Sequence, residues 1–282
     1  MGERLKIAAT KGDFLKIVYF TDAHNQPKLD RRRFLWLARL INSESPDYVI
    51  DGGDGDDMNS FCTHEKDETM KGRLKPSFLL DIECAVKARD MINDNLTVSP
   101  QKHITLGNHE NRIWVYENLN PAVYGMASGH YLDVLKKTGW EHTMYGEYFH
   151  LEGVDFTHCP FNGMGKPVGG DNVAKQAAEK SIHDVVFGHT HALGMVTAHK
   201  FGPGRSVTAY NMGCYMPDGY IPDYCKNTRK EFWYGAHVLM IREGRIRSVK
   251  SYQIGEMESL FDVRMSAPFS KTTELIVDHP RC

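Results

Sequence analysis

The chain has 282 residues, 41% of them hydrophobic and 25% charged, which suits one large α/β domain or two small ones and excludes a disordered chain. Lys and Arg (34) nearly cancel Asp and Glu (36), and a formal net charge of −2 argues against holding nucleic acid by bulk electrostatics alone. No run approaches the roughly 20 apolar residues of a membrane span, no signal-peptide pattern opens the chain, and the six cysteines form no C-x-x-C pair, so the expectation is a reduced, cytoplasmic protein with no membrane partner.

In chain order, short β-branched runs each stop at polar residues. Leu15 to Phe20 runs into Thr21-Asp22-Ala23-His24, and Asp47 to Ile50 into Asp51-Gly52-Gly53-Asp54. His103 to Leu106 meets Gly107-Asn108-His109-Glu110, Val154 to Thr157 meets His158, and Asp184 to Phe187 meets Gly188-His189-Thr190-His191. Runs this short, ended by Gly or Asp, predict buried strands. Between them, one apolar face from near Asp30 (Phe34, Leu37, Leu40, Ile41) and another after Pro76 (Phe78, Ile82, Ala85, Val86) predict helices. The alternation implies βαβ units and a partly parallel sheet. The spacing from His24 to Asp54 fits one crossover, whereas that from Asp54 to Asn108 exceeds one, so residues 55–75 are expected as a surface insertion. After Ser206, runs at Val207–Tyr210, Ala236–Ile241 and Arg247–Lys250 predict a second, more antiparallel sheet. Residues 1–256 read as a single domain, and 257–282 as a patternless tail.

Five strands thus end in Asp, His or Asn, and open α/β sheets bind ligands outside the carboxyl ends of their strands. Alone, Asp-x-His or Gly-Asp after a strand is ordinary turn chemistry. Together, Asp22, His24, Asp54, Asn108, His158, His189 and His191 make an N/O donor set without Cys, suited to Mn, Fe or Zn. Seven donors exceed the needs of one ion, and two ions bridged by one carboxylate fit the count.

The ordered motifs D-x-H, G-D-x-x-D, G-N-H-E, H and G-H-x-H, over residues 22 to 191, resemble those of the calcineurin-like metallophosphoesterase superfamily. The resemblance implies a four-layer α/β/β/α sandwich of two mixed sheets with a dinuclear metal centre between them. It implies Asp22, His24 and His191 as ligands of the first metal, and Asn108, His158 and His189 as ligands of the second. Asp54 matches the bridging carboxylate, His109 the catalytic histidine and Asp57 its carboxylate partner. The implied cofactor is two divalent ions, Mn²⁺ ahead of Fe or Zn, and the implied reaction is attack of a bridging hydroxide on a phosphate mono- or diester. His109 would protonate the leaving oxygen or stabilise developing charge, with Asp57 orienting its ring. The implied substrate is a phosphoester, with a nucleotide or DNA as the narrower expectation of a nucleotide phosphodiesterase or nuclease. A small-molecule or protein phosphatase is the alternative, and a non-catalytic binding module or a mononuclear hydrolase ranks below both.

Met58 follows Asp57 where protein Ser/Thr phosphatases of that superfamily carry Arg, and Cys159 follows His158 where Gly is usual, so a small buried thiol is expected there. Arg112, three residues past His109, reads equally as a contact to substrate phosphate or as a surface arginine. Arg31-Arg32-Arg33 reads as a solvated helix face, as do Arg245, Arg247 and Lys250 on a strand and hairpin. The segment from Tyr215 to Tyr234 interleaves Tyr220, Tyr224, Phe232 and Trp233 with Lys226, Arg229 and Lys230, and reads first as a packed loop, second as a rim that stacks bases. Nine histidines (64, 103, 130, 142, 150, 183, 199, 237, 279) show no converging partner.

Overall fold

The computed structural model describes residues 14–262 except 64, 65, 67, 203, 223, 224 and 226–230. The first sheet comprises β1 (Leu15–Phe20), β2 (Tyr48–Asp51), β3 (Gln101–Thr105), β4 (Glu141–Thr143), β10 (Gly235–Arg242) and β11 (Arg245–Gln253), in the order β11-β10-β1-β2-β3-β4. The second comprises β5 (Phe149–Leu151), β6 (Val154–Phe156), β7 (Asp184–Phe187), β8 (Leu193–His199) and β9 (Ser206–Met212), in the order β5-β6-β7-β9-β8. The helices are α1 (Arg32–Glu44), α2 (Met70–Arg73), α3 (Phe78–Asn93), α4 (Asn108–Leu119), α5 (Met126–Lys137), α6 (Val173–Lys180) and α7 (Ile254–Phe261).

Alternation along the strands builds the layers. On β1, Ile17 and Tyr19 face a core that they share with Ile50, Val154, Phe156, Val186 and Leu239, so this core lies between the two sheets. Val18 and Phe20 face the other way, onto Leu37, Leu40 and Ile41 of α1, Ile82 and Ala85 of α3, and Leu135 of α5. On the second sheet, Val185, Phe187 and Ala209 pack on Val173, Ala174, Ala177 and Ala178 of α6. The result is the expected four-layer α/β/β/α sandwich of two mixed sheets. Pairing is parallel from β1 through β4 and from β6 through β7 to β9, and antiparallel at β10, β11, β5 and β8. Ser77 caps α3 by accepting from the Leu80 amide at 3.3 Å, which fixes where the helix begins after Pro76.

Three expectations need correction. The strands after Ser206 do not form one sheet: β9 lies in the second, whereas β10 pairs antiparallel with β1 and carries β11 into the first. The residues at 55–58 are buried rather than a surface loop, and only beyond them does the chain form a 3-10 turn (Asn59–Phe61) and the short α2. Residues 257–261, counted with a tail, belong to α7, where Met257 is fully buried in the outer core of the first sheet. Residues 263–282 lie outside the described residues. Among the described residues no helix is long and apolar enough to cross a membrane.

The burial at 55–58 has an electrostatic reason. Asp56 accepts from Arg89 of α3 at 2.6 Å and from the Tyr131 hydroxyl of α5 at 2.9 Å, and both Asp56 and Arg89 are buried. Removing one partner of such a pair strands the other in a low-dielectric site. Arg89→Ala is therefore expected to lower unfolding stability by about 3–5 kcal/mol, read from the urea midpoint. A loss below ~1 kcal/mol, the size of an exposed pair, would show that the interaction does not hold this loop.

Candidate functional site

The carboxyl ends of β1 and β2 continue past their strands as a short ladder. The amides of Asp22, His24 and Asn25 donate to the carbonyls of Gly53, Asp54 and Gly55 at 2.8, 2.9 and 2.9 Å. Along this ladder and in the loop after β7, Asp22 (φ 51°), His24 (φ 44°), Asp54 (φ 49°), His189 (φ 70°) and His191 (φ 60°) all adopt the left-handed conformation. Non-glycine residues hold that conformation only where their surroundings impose it, and such strain gathers at functional sites. Two glycines allow carboxylates to press against backbone. A Cβ on Gly107 would meet Asp54 Oδ1 at 2.1 Å, and one on Gly188 would meet Asp22 Oδ2 at 2.1 Å.

The seven expected donors converge. His191 Nε2 lies 3.2 Å from Asp22 Oδ1 and 3.1 Å from His24 Nε2. His158 Nε2 lies 3.3 Å from Asp54 Oδ2, 3.2 Å from Asn108 Oδ1 and 3.3 Å from His189 Nδ1. Asp22, His24 and His191 form one candidate metal-binding group, and Asp54, His158 and His189 another. A third group joins His24, Asp54 and His109, so Asp54 is common to two of the three. The ring orientations suit a cation. His24 Nδ1 donates to Asp57 Oδ1 at 3.1 Å and His158 Nδ1 donates to the Gly52 carbonyl at 2.9 Å. With both Nδ1 atoms committed, each Nε2 is left to take a cation or a proton, but not both.

Asn108 and His109 open helix α4, where successive side chains diverge by the helical turn and the His109 amide donates to Asp54 Oδ1 at 2.7 Å. His109 Nδ1 donates to Asp57 Oδ1 at 2.5 Å, and Arg112, one turn on, donates to His109 Nε2 at 3.1 Å and to the Asp57 carbonyl at 2.7 Å. Asp57 therefore orients two rings, His24 and His109, where the sequence suggested one. Asn59 fixes its other oxygen at 2.5 Å.

Electrostatics follow from burial among imidazoles. Burial opposes ionisation of Asp54, yet the rings of His109 and His158 hold it well below the usual carboxylate range. Asp57 is likewise held low against burial by His109 and His24. Burial lowers His189 to about 4, with His158 adding to the effect. His191 goes the other way: burial pulls it down, but pairing with Asp22 and Cys225 raises it to about 9.

Two further residues, Glu110 and Arg33, hold the loops in place. Glu110, in the first turn of α4, accepts from the amides of Asp54 (3.0 Å), Asp56 (2.8 Å) and Gly107 (2.8 Å). The Gly-x-x-Glu spacing is the signal, since a carboxylate at the third helical position reaches back to the cap. Arg33, expected on a solvated face, is buried and donates to the Ala23 carbonyl at 3.0 Å and the Tyr215 carbonyl at 3.1 Å, holding the Asp22-Ala23-His24 turn. Arg245 is also paired, with Asp184 at 3.0 Å. Cys159 is a buried thiol beside Tyr145, as expected.

In the aromatic segment, Tyr215 is buried and donates to the Arg33 carbonyl at 2.7 Å, and Phe232 sets its ring edge-on to His191 at 4.7 Å. Tyr224, Lys226, Arg229 and Lys230 lie outside the described residues, as do His64 and His279. Of the histidines expected to lack partners, His150 and His183 in fact converge on Asp155. A cavity of about 990 Å³ opens beside His24, Asp57, His109 and Arg112, with Lys28, Lys71, Leu80 and Tyr220 among its other walls.

A buried Asp/His/Asn cluster at the carboxyl ends of strands in a four-layer sandwich offers groups that could hold metal ions. The chain belongs to the calcineurin-like phosphoesterases, whose family model matches residues 15–193, and it is a hydrolase of phosphoester bonds. It is similar to the solved structure of Yfce, a phosphoesterase from E. coli, at 14% identity and a TM-score of 0.37, covering 84% of this chain and 98% of that one. It is also similar to a conserved protein of Streptococcus pneumoniae TIGR4 described as a predicted phosphoesterase, at 10% identity and a TM-score of 0.35, covering 86% of this chain and 91% of that one. No curated protein matches the sequence.

The protonation of His191 generates a measurable linkage. With its value raised to about 9, the ring carries a proton at pH 7 in the metal-free protein, and a cation that takes Nε2 must displace it. Metal uptake at pH 7 is expected to release protons, and affinity is expected to rise with pH up to about 9. Calorimetric titration in buffers of different ionisation enthalpy reads the release directly, and heats independent of buffer would contradict it. Glu110→Gln places an amide N–H against backbone donors and is expected to cost about 1–3 kcal/mol, measured as a lower urea midpoint. An unchanged midpoint would remove Glu110 from the support of these loops.

Proposed function

We propose that the protein is a dinuclear-metal phosphoesterase acting on a phosphate mono- or diester that carries an organic group of nucleotide size. The observation that carries this reading is Asp54, whose carboxylate lies in one donor group with His24 and His109 and in another with His158 and His189, as a bridging ligand requires. Asp22, His24 and His191 would hold one ion, and Asn108, His158 and His189 the other. The carboxylate and amide oxygens in the set favour Mn²⁺ over the softer preferences of Zn²⁺, with Fe also compatible. When bound, such ions polarise a phosphoryl oxygen and acidify water.

The chain's own residues supply the rest. Arg112 presents a guanidinium to the cavity, suited to a phosphate oxygen. As the structure stands, that guanidinium donates to His109 Nε2, so a phosphate that draws Arg112 to itself frees Nε2 to carry a proton. Asp57, bonded to Nδ1, stabilises the resulting imidazolium, and Nε2 delivers its proton to the leaving oxygen. The amide ends of α4 add a positive dipole where charge develops. The cavity, near the upper end of the usual range for small-ligand sites, and its Pro27, Leu80 and Tyr220 walls suit a nucleotide-sized leaving group.

A panel of an aryl monoester, an aryl diester, cyclic nucleotides and single- and double-stranded DNA, assayed with Mn²⁺, tests the reading. Turnover of at least one nucleotide-sized ester, abolished by chelator, is expected, and DNA cleavage would extend the reading to a nuclease. Inactivity across the metal-loaded panel would sink it. Asp54→Asn is expected to lose both metal and activity. His109→Ala is expected to keep its metal and lose about 10²–10⁴ in kcat, and retention of full rate would remove His109 from proton transfer.

A further inference from the structure

We propose that His150, Asp155 and His183 form a separate metal site, for one divalent transition ion of the Zn²⁺ type, on the outer face of the second sheet. Asp155 sits in β6 between Val154 and Phe156, which are both buried in the core between the sheets, so its side chain points to the opposite face. His150 is its direct cross-strand partner on β5. His183 precedes β7, which pairs with the other side of β6. Two neighbouring strands and the residue that leads into a third thus bring one donor each to the same place.

The carboxylate already serves both rings. His150 Nδ1 donates to Asp155 Oδ1 at 2.7 Å and His183 Nδ1 donates to Oδ2 at 3.1 Å, with the ring centroids 4.7 Å apart. All three donor atoms lie within 4.8 Å of one another. An ion that displaces the two Nδ1 protons to solvent finds two imidazole nitrogens and one carboxylate oxygen, the donor set of a zinc site with three protein ligands and an open position. Asp155 is mostly shielded (16% exposed), while His150 (52%) and His183 (39%) admit an ion from solvent. A cavity of about 220 Å³ reaches Asp155 from the side of α6.

This group is distinct from the candidate active site. His183 lies before β7 and Asp155 within β6, whereas His158 and His189 lie beyond the carboxyl ends of the same two strands. Its location also gives an ion a structural consequence. β5 is a three-residue edge strand with one neighbour, and an ion held by His150, Asp155 and His183 ties it to β6 and to the start of β7. An ion bound by the folded state alone raises its stability by mass action.

The test compares the parent with a His150→Gln/His183→Gln variant, both stripped by chelator, dialysed against micromolar Zn²⁺ and analysed for metal. The variant is expected to hold one equivalent fewer than the parent, to keep phosphoester hydrolysis, and to lose part of the Zn²⁺-dependent rise in Tm. Asp155→Asn, which keeps both rings, is expected to lose the same equivalent and serves if the double variant does not fold. Equal zinc content in parent and variants overturns the proposal, and so does a difference seen only at millimolar Zn²⁺.

Discussion

Six carboxylates, those of Asp22, Asp51, Asp54, Asp56, Asp57 and Glu110, are buried where β1, β2 and α4 meet, and much of the molecule is arranged to compensate that charge. Unpaired, a buried carboxylate takes up a proton or destabilises the fold by several kcal/mol. Four of the six have specific side-chain partners. Asp56 has Arg89 and Tyr131, Asp57 has His24 and His109, Asp54 has the His109 amide and His158, and Asp22 has the His189 amide and His191. The packing of α3 and α5 on the first sheet is thus an electrostatic as well as an apolar arrangement.

The compensation by fixed groups is incomplete, and the pattern of what is left over points to cations. Burial and the neighbouring acids push Glu110 up to about 8, and burial pushes Asp51 up to about 7. Glu110 nonetheless accepts from three backbone amides, an arrangement that favours the ionised form. An acid placed among backbone donors and other carboxylates gains from any positive charge brought nearby. Divalent ions at Asp54 would supply it, and would draw Glu110 and Asp51 back toward ionisation. On the proposed reading, the same charge that substrate phosphate needs also relieves the fold.

The strand ends and their donors were legible because each is a local pattern: a β-branched run, a glycine or acid that stops it, then Asp, Asn or His. The membership of β10 was not, because alternation along a strand is the same whichever sheet it joins, and only its antiparallel pairing with β1 decides. Arg33 illustrates a signal that was present but outweighed. It lies four and seven residues before Leu37 and Leu40, on the buried stripe of α1, yet three consecutive arginines read as solvated. His150 was expected to lack a partner. Glu152 and Gly153 both have positive φ, as a two-residue hairpin turn demands, and counting back from that turn pairs His150 with Asp155. His183 comes from a distant segment, and only the tertiary fold brings it there.

The two histidine clusters make a final contrast in how one sheet is used. At the carboxyl ends of β6 and β7 the donors sit on loops in strained conformations, His189 at φ 70° and His191 at φ 60°. His150 and Asp155, by contrast, stand directly opposite each other in a regular strand pair, where the pleat orients them without backbone strain. Strain of the first kind persists only when surrounding contacts over-determine it, and here the His189 amide donates to Asp22 at 2.9 Å while the His191 carbonyl accepts from the Trp233 amide at 3.0 Å. A site that must hold a reacting group in one geometry justifies that investment in its supports. A clamp on a short edge strand needs only donors at matching register, and that is what β5 and β6 provide.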